Sequence, residues 1–231
     1  MNQKNLIQVK NLNRIFPIPG GEFQALKDIN VDIQEGSFVI LRGRSGSGKT
    51  TLLNIIGALD KPTTGEITID GQDMIAMSDN EREKLRRTSM GFVFQSVSLI
   101  PTMNAFQNVE FSMRLAGINA IKEREARVKE CLKMVGLEKR MTHMPAEMSG
   151  GEQQRVAIAR AFAHHPRIIL ADEPTAELDS AMAAMVTKIF QEMTRKENIT
   201  VLMTTHDIGL MDAGDLVVEL ENGQRVTGNG E

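Results

Sequence analysis

Gly43-Arg44-Ser45-Gly46-Ser47-Gly48-Lys49-Thr50 is the stretch that decides the fold. An apolar run at 38–41 precedes it, and an apolar stretch running to Leu59 follows it. The run reads as a buried parallel strand and the stretch after it as a helix. The octapeptide fits G-x-x-x-x-G-K-[ST], a loop that wraps phosphate. Its glycines let backbone N–H groups converge on phosphate oxygens, where a Cβ would block approach or forbid the dihedrals. The helix that starts near Gly48 adds its positive dipole end. Lys49 is expected to reach the β- and γ-phosphates and the Thr50 hydroxyl to ligate Mg²⁺. Arg44, Ser45, Ser47 and Thr51 complete the expected cradle.

Farther along, Ile168-Ile169-Leu170-Ala171-Asp172-Glu173 reads as an apolar strand ending in two acids. Beside a phosphate loop this reads as a metal-and-water pair. Asp172 is expected to bind Mg²⁺ directly or through water, and Glu173 to act as general base toward the attacking water. Successive residues on a strand point to opposite sides, which would let one acid face the metal and the other the water.

Ser149-Gly150-Gly151-Glu152-Gln153 opens another helix. Ser149 and Glu152 have capping-box spacing. That accounts for the serine and the acid but not for two consecutive glycines, which cost up to about 1 kcal/mol each in helix propensity. Exposed N–H groups there suit a second phosphate site. Since 43–50 already forms one, the second is expected to face the nucleotide of another copy, in a head-to-tail dimer with two ATP molecules at the interface.

The rest of the chain fits around these motifs. Short strands are expected at 6–12 and 31–33, a hairpin at 66–75 turning at Asp70-Gly71, a capped charged helix after Ser78, and a strand at 91–94 ending at Gln95. From 96 to 164 the pattern turns helical, with Val128, Cys131, Leu132 and Val135 on one face and Gly136 where a C-cap glycine belongs. Strand and helix alternation resumes at 168–171, 181–195 and 200–204, and a last hairpin turns at Asn222-Gly223. The domain reading is a nucleotide-binding core with a β lobe, 1–95 and 165–231, carrying an inserted helical subdomain, 96–164.

Composition bounds the partners. The 231 residues carry a net charge of −3, which disfavours nucleic acid as the main partner. The single cysteine, Cys131, cannot form an intrachain disulfide. Residues 1–10 lack the apolar core of a signal peptide. The most apolar stretch, 52–59, is far too short to cross a bilayer, so a membrane role is expected to be peripheral.

Taken together, these motifs resemble those of the ABC-transporter ATPases along nearly the whole chain. Met148-Ser149-Gly150-Gly151-Glu152-Gln153-Gln154-Arg155 resembles the LSGGQ signature, with Met where Leu is usual. The resemblance implies an α/β fold with a P-loop NTPase (RecA-like) core, an antiparallel β lobe and the helical subdomain. It implies a Q-loop role for Gln95 in Mg²⁺ sensing and in contact with the membrane subunit. It makes His206 the switch histidine at the γ-phosphate. It also assigns Asp179 to the D-loop, with Ala176 and Glu177 replacing the usual Gly-Asn, and Phe16 to stacking on adenine. A helix N-cap for Asp179 and a plain core position for Phe16 stay open as rival readings.

Segments 91–95, 99–102, 108–110 and 145–148 resemble the macrolide-efflux and lipoprotein-releasing branch of that family. The implied protein is an ATP-dependent homodimer on the cytoplasmic face of the membrane. It would be held there by two copies of a separate transmembrane permease, with a periplasmic or extracellular accessory protein as a further partner. Export of a drug, antimicrobial peptide or lipoprotein is the implied activity, and a cell-division-type mechanotransmitter the alternative. The extra C-terminal domain of many sugar and methionine importers is not expected. Leu99 and Ile100 have two readings: contact with the permease, or a seal between helical subdomain and core.

Overall fold

The computed structural model describes residues 4–176 and 178–226. Two sheets organise the chain. β1 (Asn5–Ile18) and β2 (Gly21–Gln34) form a long antiparallel hairpin, followed by β3 (Phe38–Arg42), α1 (Lys49–Ile56), β4 (Thr64–Ile69) and β5 (Gln72–Asp73). Then come α2 (Asp79–Ser89), β6 (Met90–Val93), α3 (Ala105–Leu115), α4 (Ile121–Met134) and α5 (Gly150–Phe162). β7 (Ile168–Ala171), α6 (Ser180–Glu197), β8 (Thr200–Thr205), β9 (Leu216–Glu221) and β10 (Gln224–Arg225) close the chain.

The smaller sheet has order β2-β1-β4-β5 and is antiparallel throughout. It is the expected β lobe. The larger has order β10-β9-β3-β8-β7-β6 and is parallel except for the β9–β10 hairpin at its edge. β3 thus lies between β8 and β9, two strands from far later in the sequence. The carboxyl ends of β3, β8 and β7 are brought side by side, where ligands bind in open parallel sheets.

The core strands are apolar on both faces because both faces are covered. Phe38, Ile40, Ile169, Ala171, Val201 and Met203 join the cluster that holds α3, α4, α5 and α6. Their alternates Val39, Leu41, Ile168, Leu170 and Leu202 join the cluster of α1 and the lobe. Each fully buried side chain of this size contributes roughly 1.5–3 kcal/mol.

The turns follow local chemistry. Asp70 and Gly71 have φ of 52° and 76°, and Asn222 and Gly223 have 48° and 80°. Both pairs are the left-handed conformations a two-residue hairpin demands, supplied by the residues that tolerate them. Between β6 and β7 the described elements are helices alone. α3 was not singled out in the sequence; the Asn104 side chain caps it by accepting from Gln107 N–H at 2.8 Å, and Gln107 returns the bond. No described helix is long and apolar enough to cross a membrane.

Candidate functional site

The phosphate loop is held from two sides. A Cβ on Gly43, at φ 150°, would meet the Leu220 carbonyl at 2.3 Å, and one on Gly48, at φ 104°, the Ala25 carbonyl at 2.8 Å. The β9–β10 turn braces the loop from below, with Gly223 N–H donating to the Ser47 carbonyl at 3.2 Å. α1 starts at Gly48 with no side-chain cap, whereas Ser78, Asn104, Ser149 and Asp179 cap α2, α3, α5 and α6. The first-turn N–H groups of α1 are therefore available to an anion. A 640 Å³ cleft beside the loop is lined by Gly43, Arg44, Gly46, His206, Met211 and Glu219.

Lys49 is almost wholly buried. Its ammonium donates to the carbonyls of Gly43 at 2.8 Å and Arg44 at 3.2 Å, and lies 4.0 Å from the Glu173 carboxylate. The Thr50 hydroxyl lies 3.1 and 3.0 Å from the two Asp172 oxygens. Gln95 Nε2 is 3.5 Å and His206 Nδ1 3.7 Å from Glu173 Oε2. Four separate strand ends thus deliver Lys49, Thr50, Asp172, Glu173, Gln95 and His206 to one place.

The acid pair is separated differently from the strand-pleat expectation. β7 ends at Ala171, before either acid. Glu173 has a left-handed φ of 44°, so a turn, not the pleat, parts the two carboxylates. Such a conformation is unfavourable for a side chain other than glycine and clusters at functional sites.

The oxygen set suits Mg²⁺. A hydroxyl and one carboxylate lie in contact, and no group of three or more His, Cys, Asp or Glu among the described residues forms a cage. Mg²⁺ is commonly held in this way, by one or two protein oxygens plus substrate phosphates and water.

Other expected site residues lie apart from this cluster. Ser149 caps α5 by accepting from Glu152 N–H at 3.3 Å, and the Glu152 carboxylate accepts from Ser149 N–H at 2.9 Å. The hydrogen bond to Ser149 holds the Glu152 carboxyl below its ordinary value, and Arg140, 3.1 Å away, acts in the same direction. Among the described residues no hydrogen bond or ion pair joins Ser149–Glu152 to the first cluster. A Cβ on Gly150 would meet nothing within 4 Å, and one on Gly151 only Leu178, at an ordinary 3.5 Å. Asp179 is the N-cap of α6, accepting from Met182 N–H at 2.9 Å.

Phe16 sits half-buried on β1, opposite Phe23 of β2. The Arg14 guanidinium lies 4.2 Å from its ring centroid and is itself gripped by both Asp60 oxygens at 2.8 Å. One ring face is thereby covered and the ring is oriented. That grip was not visible in the sequence, because Arg14 and Asp60 are 46 residues apart.

Leu99 packs against the core cluster of the helical region. The fully buried Asn108 bonds the carbonyls of Ile100, Met103 and Asn104 and accepts from Ile100 N–H, tying down that loop. This supports the sealing reading for Leu99. The exposed apolar surface is elsewhere, in a 380 Å³ groove lined by Leu59, Phe92, Phe94, Phe111 and Leu115 and rimmed by basic residues including Arg160. Phe92 and Phe94 stack there, centroids 5.9 Å apart. Sequence reasoning missed this groove because its walls come from four separate segments; the exposed Phe94 beside Gln95 was its one local signal.

Comparison with known proteins agrees with the geometry. The family model described as ABC transporter matches residues 26–176. An uncharacterised ABC transporter ATP-binding protein of Methanocaldococcus jannaschii, MJ0796, is 44% identical over 222 residues, covering 95% of this chain and 94% of that protein. Its dimeric, post-hydrolysis structure bound to ADP and Pi matches with a TM-score of 0.89 at 43% identity, over 95% of this chain and 96% of the other. The macrolide export ATP-binding/permease protein of Wolinella succinogenes is 41% identical over 96% of this chain, which spans 34% of that larger protein. A cassette of Clostridium perfringens, part of an ABC transporter complex, matches with a TM-score of 0.85 at 30% identity over 97% of this chain and 88% of its own. With its phosphate loop, acid pair and second glycine-rich helix start in place, the chain belongs to the ABC transporter family and is an ATP-binding, ATP-hydrolysing cassette.

Proposed function

We propose that two copies of this cassette close head to tail over two ATP molecules and that the closure drives a membrane partner in export. The observation that carries the composite site is the pair Gly150-Gly151. Among the described residues nothing crowds them, so the packing described does not require glycine there. An approaching phosphate does, because it needs bare backbone at the start of α5. The dimeric, ADP- and Pi-bound relative supports the same arrangement.

Within each site, residues 43–51 wrap the phosphates of one copy, and Ser149, Gly150, Gly151 and Glu152 of the other copy face the γ-phosphate. Phe16 stacks on the base through the ring face that Arg14 leaves free. Glu173 takes the proton of the attacking water, with Gln95 and His206 within 3.7 Å to orient it. Mg²⁺, held by Thr50, Asp172 and Gln95, would neutralise phosphate charge. Asp179 stiffens the start of α6 beside the interface. Residues 96–164 act as a helical subdomain that carries the signature motif, and 1–95 with 165–231 as the core and lobe.

The groove beside Gln95 is the seat for the membrane partner. Its apolar floor suits an amphipathic segment, and it adjoins the one catalytic-cluster residue that sits on a loop leading into the helical region. Export follows the likeness to the macrolide exporter and to its branch. Localisation at the membrane then comes through that partner.

The test is trapping. Glu173→Gln keeps nucleotide binding, because the amide still fits, but cannot accept the proton. With ATP it runs as a dimer in size-exclusion chromatography and releases almost no phosphate. Adding Ser149→Arg abolishes the dimer while leaving monomer affinity intact. Mixed with Lys49→Ala, Ser149→Arg restores one composite site. If Ser149→Arg lowers the monomer's own affinity as far as Lys49→Ala does, the assignment across subunits is wrong.

A further inference from the structure

Thr204 is the penultimate residue of β8 and is fully buried. The three residues before it, Val201, Leu202 and Met203, are buried and apolar, while Thr205 after it is also a buried threonine. A hydroxyl in this position is costly unless its bonding capacity is used. It is used, and on both acids of the cluster. Thr204 Oγ1 donates to Asp172 Oδ1 at 2.7 Å and accepts from the backbone N–H of Glu173 at 2.8 Å. The hydroxyl thus spends its one hydrogen on the carboxylate and a lone pair on the amide.

The second bond matters because of where Glu173 stands. Its backbone has left the strand with φ 44°, a conformation that persists only where the surroundings over-determine it. Asp172 N–H ties the start of the turn to the Val93 carbonyl of β6 at 2.8 Å and Ala176 N–H closes it on the Glu173 carbonyl at 3.2 Å; on the β8 side, the bond to Thr204 holds the Glu173 backbone. The first bond fixes the carboxylate that also contacts Thr50 at 3.0 Å.

We propose that Thr204 is a positioning residue for ATP hydrolysis: one buried hydroxyl sets the metal-side carboxylate and the backbone of the proposed base in fixed relation. Its hydroxyl acts through Asp172 and Glu173, to which both of its bonds go. This rests on the roles assigned above to Asp172 and Glu173. Both bonds of the Thr204 hydroxyl go to the acids, and among the described residues none goes to residues 43–50, so its loss is expected to act on turnover more than on ATP affinity.

The experiment compares wild type, Thr204→Val and Thr204→Ser by kcat, KM, ATP affinity and amide exchange at Glu173 in the nucleotide-free chain. Thr204→Val is near-isosteric and suits a buried strand. It is expected to lower kcat roughly 10- to 100-fold, as misplaced catalytic groups do. ATP affinity should change by less than about threefold, and the Glu173 amide should exchange at least about tenfold faster. Thr204→Ser keeps the hydroxyl and restores both readouts to near wild type. Should Thr204→Val fail to fold, Thr204→Ala against Thr204→Ser gives the same contrast.

Wild-type kcat in the valine variant overturns the proposal, and so does unchanged exchange at Glu173. A serine variant as slow as the valine variant also overturns it, since the methyl and not the hydroxyl would then matter. Failure of the underlying site reading shows separately, as wild-type turnover in Glu173→Gln; accelerated exchange at the Glu173 amide does not depend on that outcome.

Discussion

Acidification from pH 7 to pH 5 should destabilise this protein through one buried imidazole. His164 follows the end of α5 and is 7% exposed. Its Nε2 lies 3.0 Å from the Met90 carbonyl, an acceptor only, so the ring hydrogen belongs on Nε2. Among the described residues Nδ1 is buried without a partner. Protonation would therefore create a charged N–H facing neither water nor an acceptor. Burial pulls the pKa from the ordinary 6.5 down to about 4, against the Met90 carbonyl and with the help of His165 and Arg127 nearby. Because the folded value lies below the unfolded one, the unfolded chain binds more protons between them. The stabilisation is complete above pH 6.5 and is lost as pH falls toward 4. Across pH 7 to 5 the loss is roughly 2 kcal/mol, or about 4–8 °C in Tm for a chain of this size. Glu197, held at about 2 by His165 and Arg127, titrates below that window. The assay is urea unfolding of wild type and His164→Gln at both pH values; glutamine can still donate to Met90. The variant should lose about 2 kcal/mol less than wild type over the interval. His143, His165 and His206 are present in both proteins and cancel. Parallel losses in the two proteins would refute the argument.

Lys49→Ala should weaken nucleotide binding about 10- to 150-fold, the worth of one charge-assisted contact; an unchanged titration would remove Lys49 from the phosphate site. Gly91→Ala should destabilise the fold by about 3 kcal/mol, at the upper end of overpacking costs. A Cβ there would meet the Ala161 carbonyl oxygen at 2.0 Å, so β6 and the end of α5 must separate. A urea midpoint equal to wild type would show that the seam yields freely.

What was legible in the sequence was chemistry at fixed short spacing. The phosphate loop, the capping boxes at Ser78 and Ser149, and the turns at Asp70-Gly71 and Asn222-Gly223 each need particular residues within a few positions, and all are where the sequence put them. Strand length was not legible. β2 alternates buried and exposed only from Ile29 onward, and its first four residues are exposed, so the signal covered a fraction of its 14 residues. The long hairpin is held there by cross-strand pairing with β1 and not by burial. Contacts across the sheet were invisible for a related reason. Thr204 reads as one more strand residue until β7 and β8 are aligned, and only the register that pairs Ala171 with Met203 brings its hydroxyl to the acids.

Glycine use separates what the chain needs for itself from what it needs for a partner. Gly43 and Gly48 adopt φ of 150° and 104°, and any Cβ on them would strike backbone at under 3 Å. Folding alone enforces them, whether or not a nucleotide ever binds. Gly150 and Gly151 have no positive φ and no crowding, and they weaken the start of a helix that Ser149 and Glu152 are capping. A residue choice that costs stability and relieves no strain within the fold has its reason outside it. The same logic applied to Glu173 gives the opposite sense. There strain is present without glycine, at φ 44°, and the Glu173 N–H is bonded to Thr204 across the sheet. A glycine at 173 would relax the backbone but forfeit the carboxylate, so the fold keeps the acid and restrains it. On the proposed function, one helix start is left bare for a phosphate bound by the other copy, while one turn is kept strained for the acid that takes a proton.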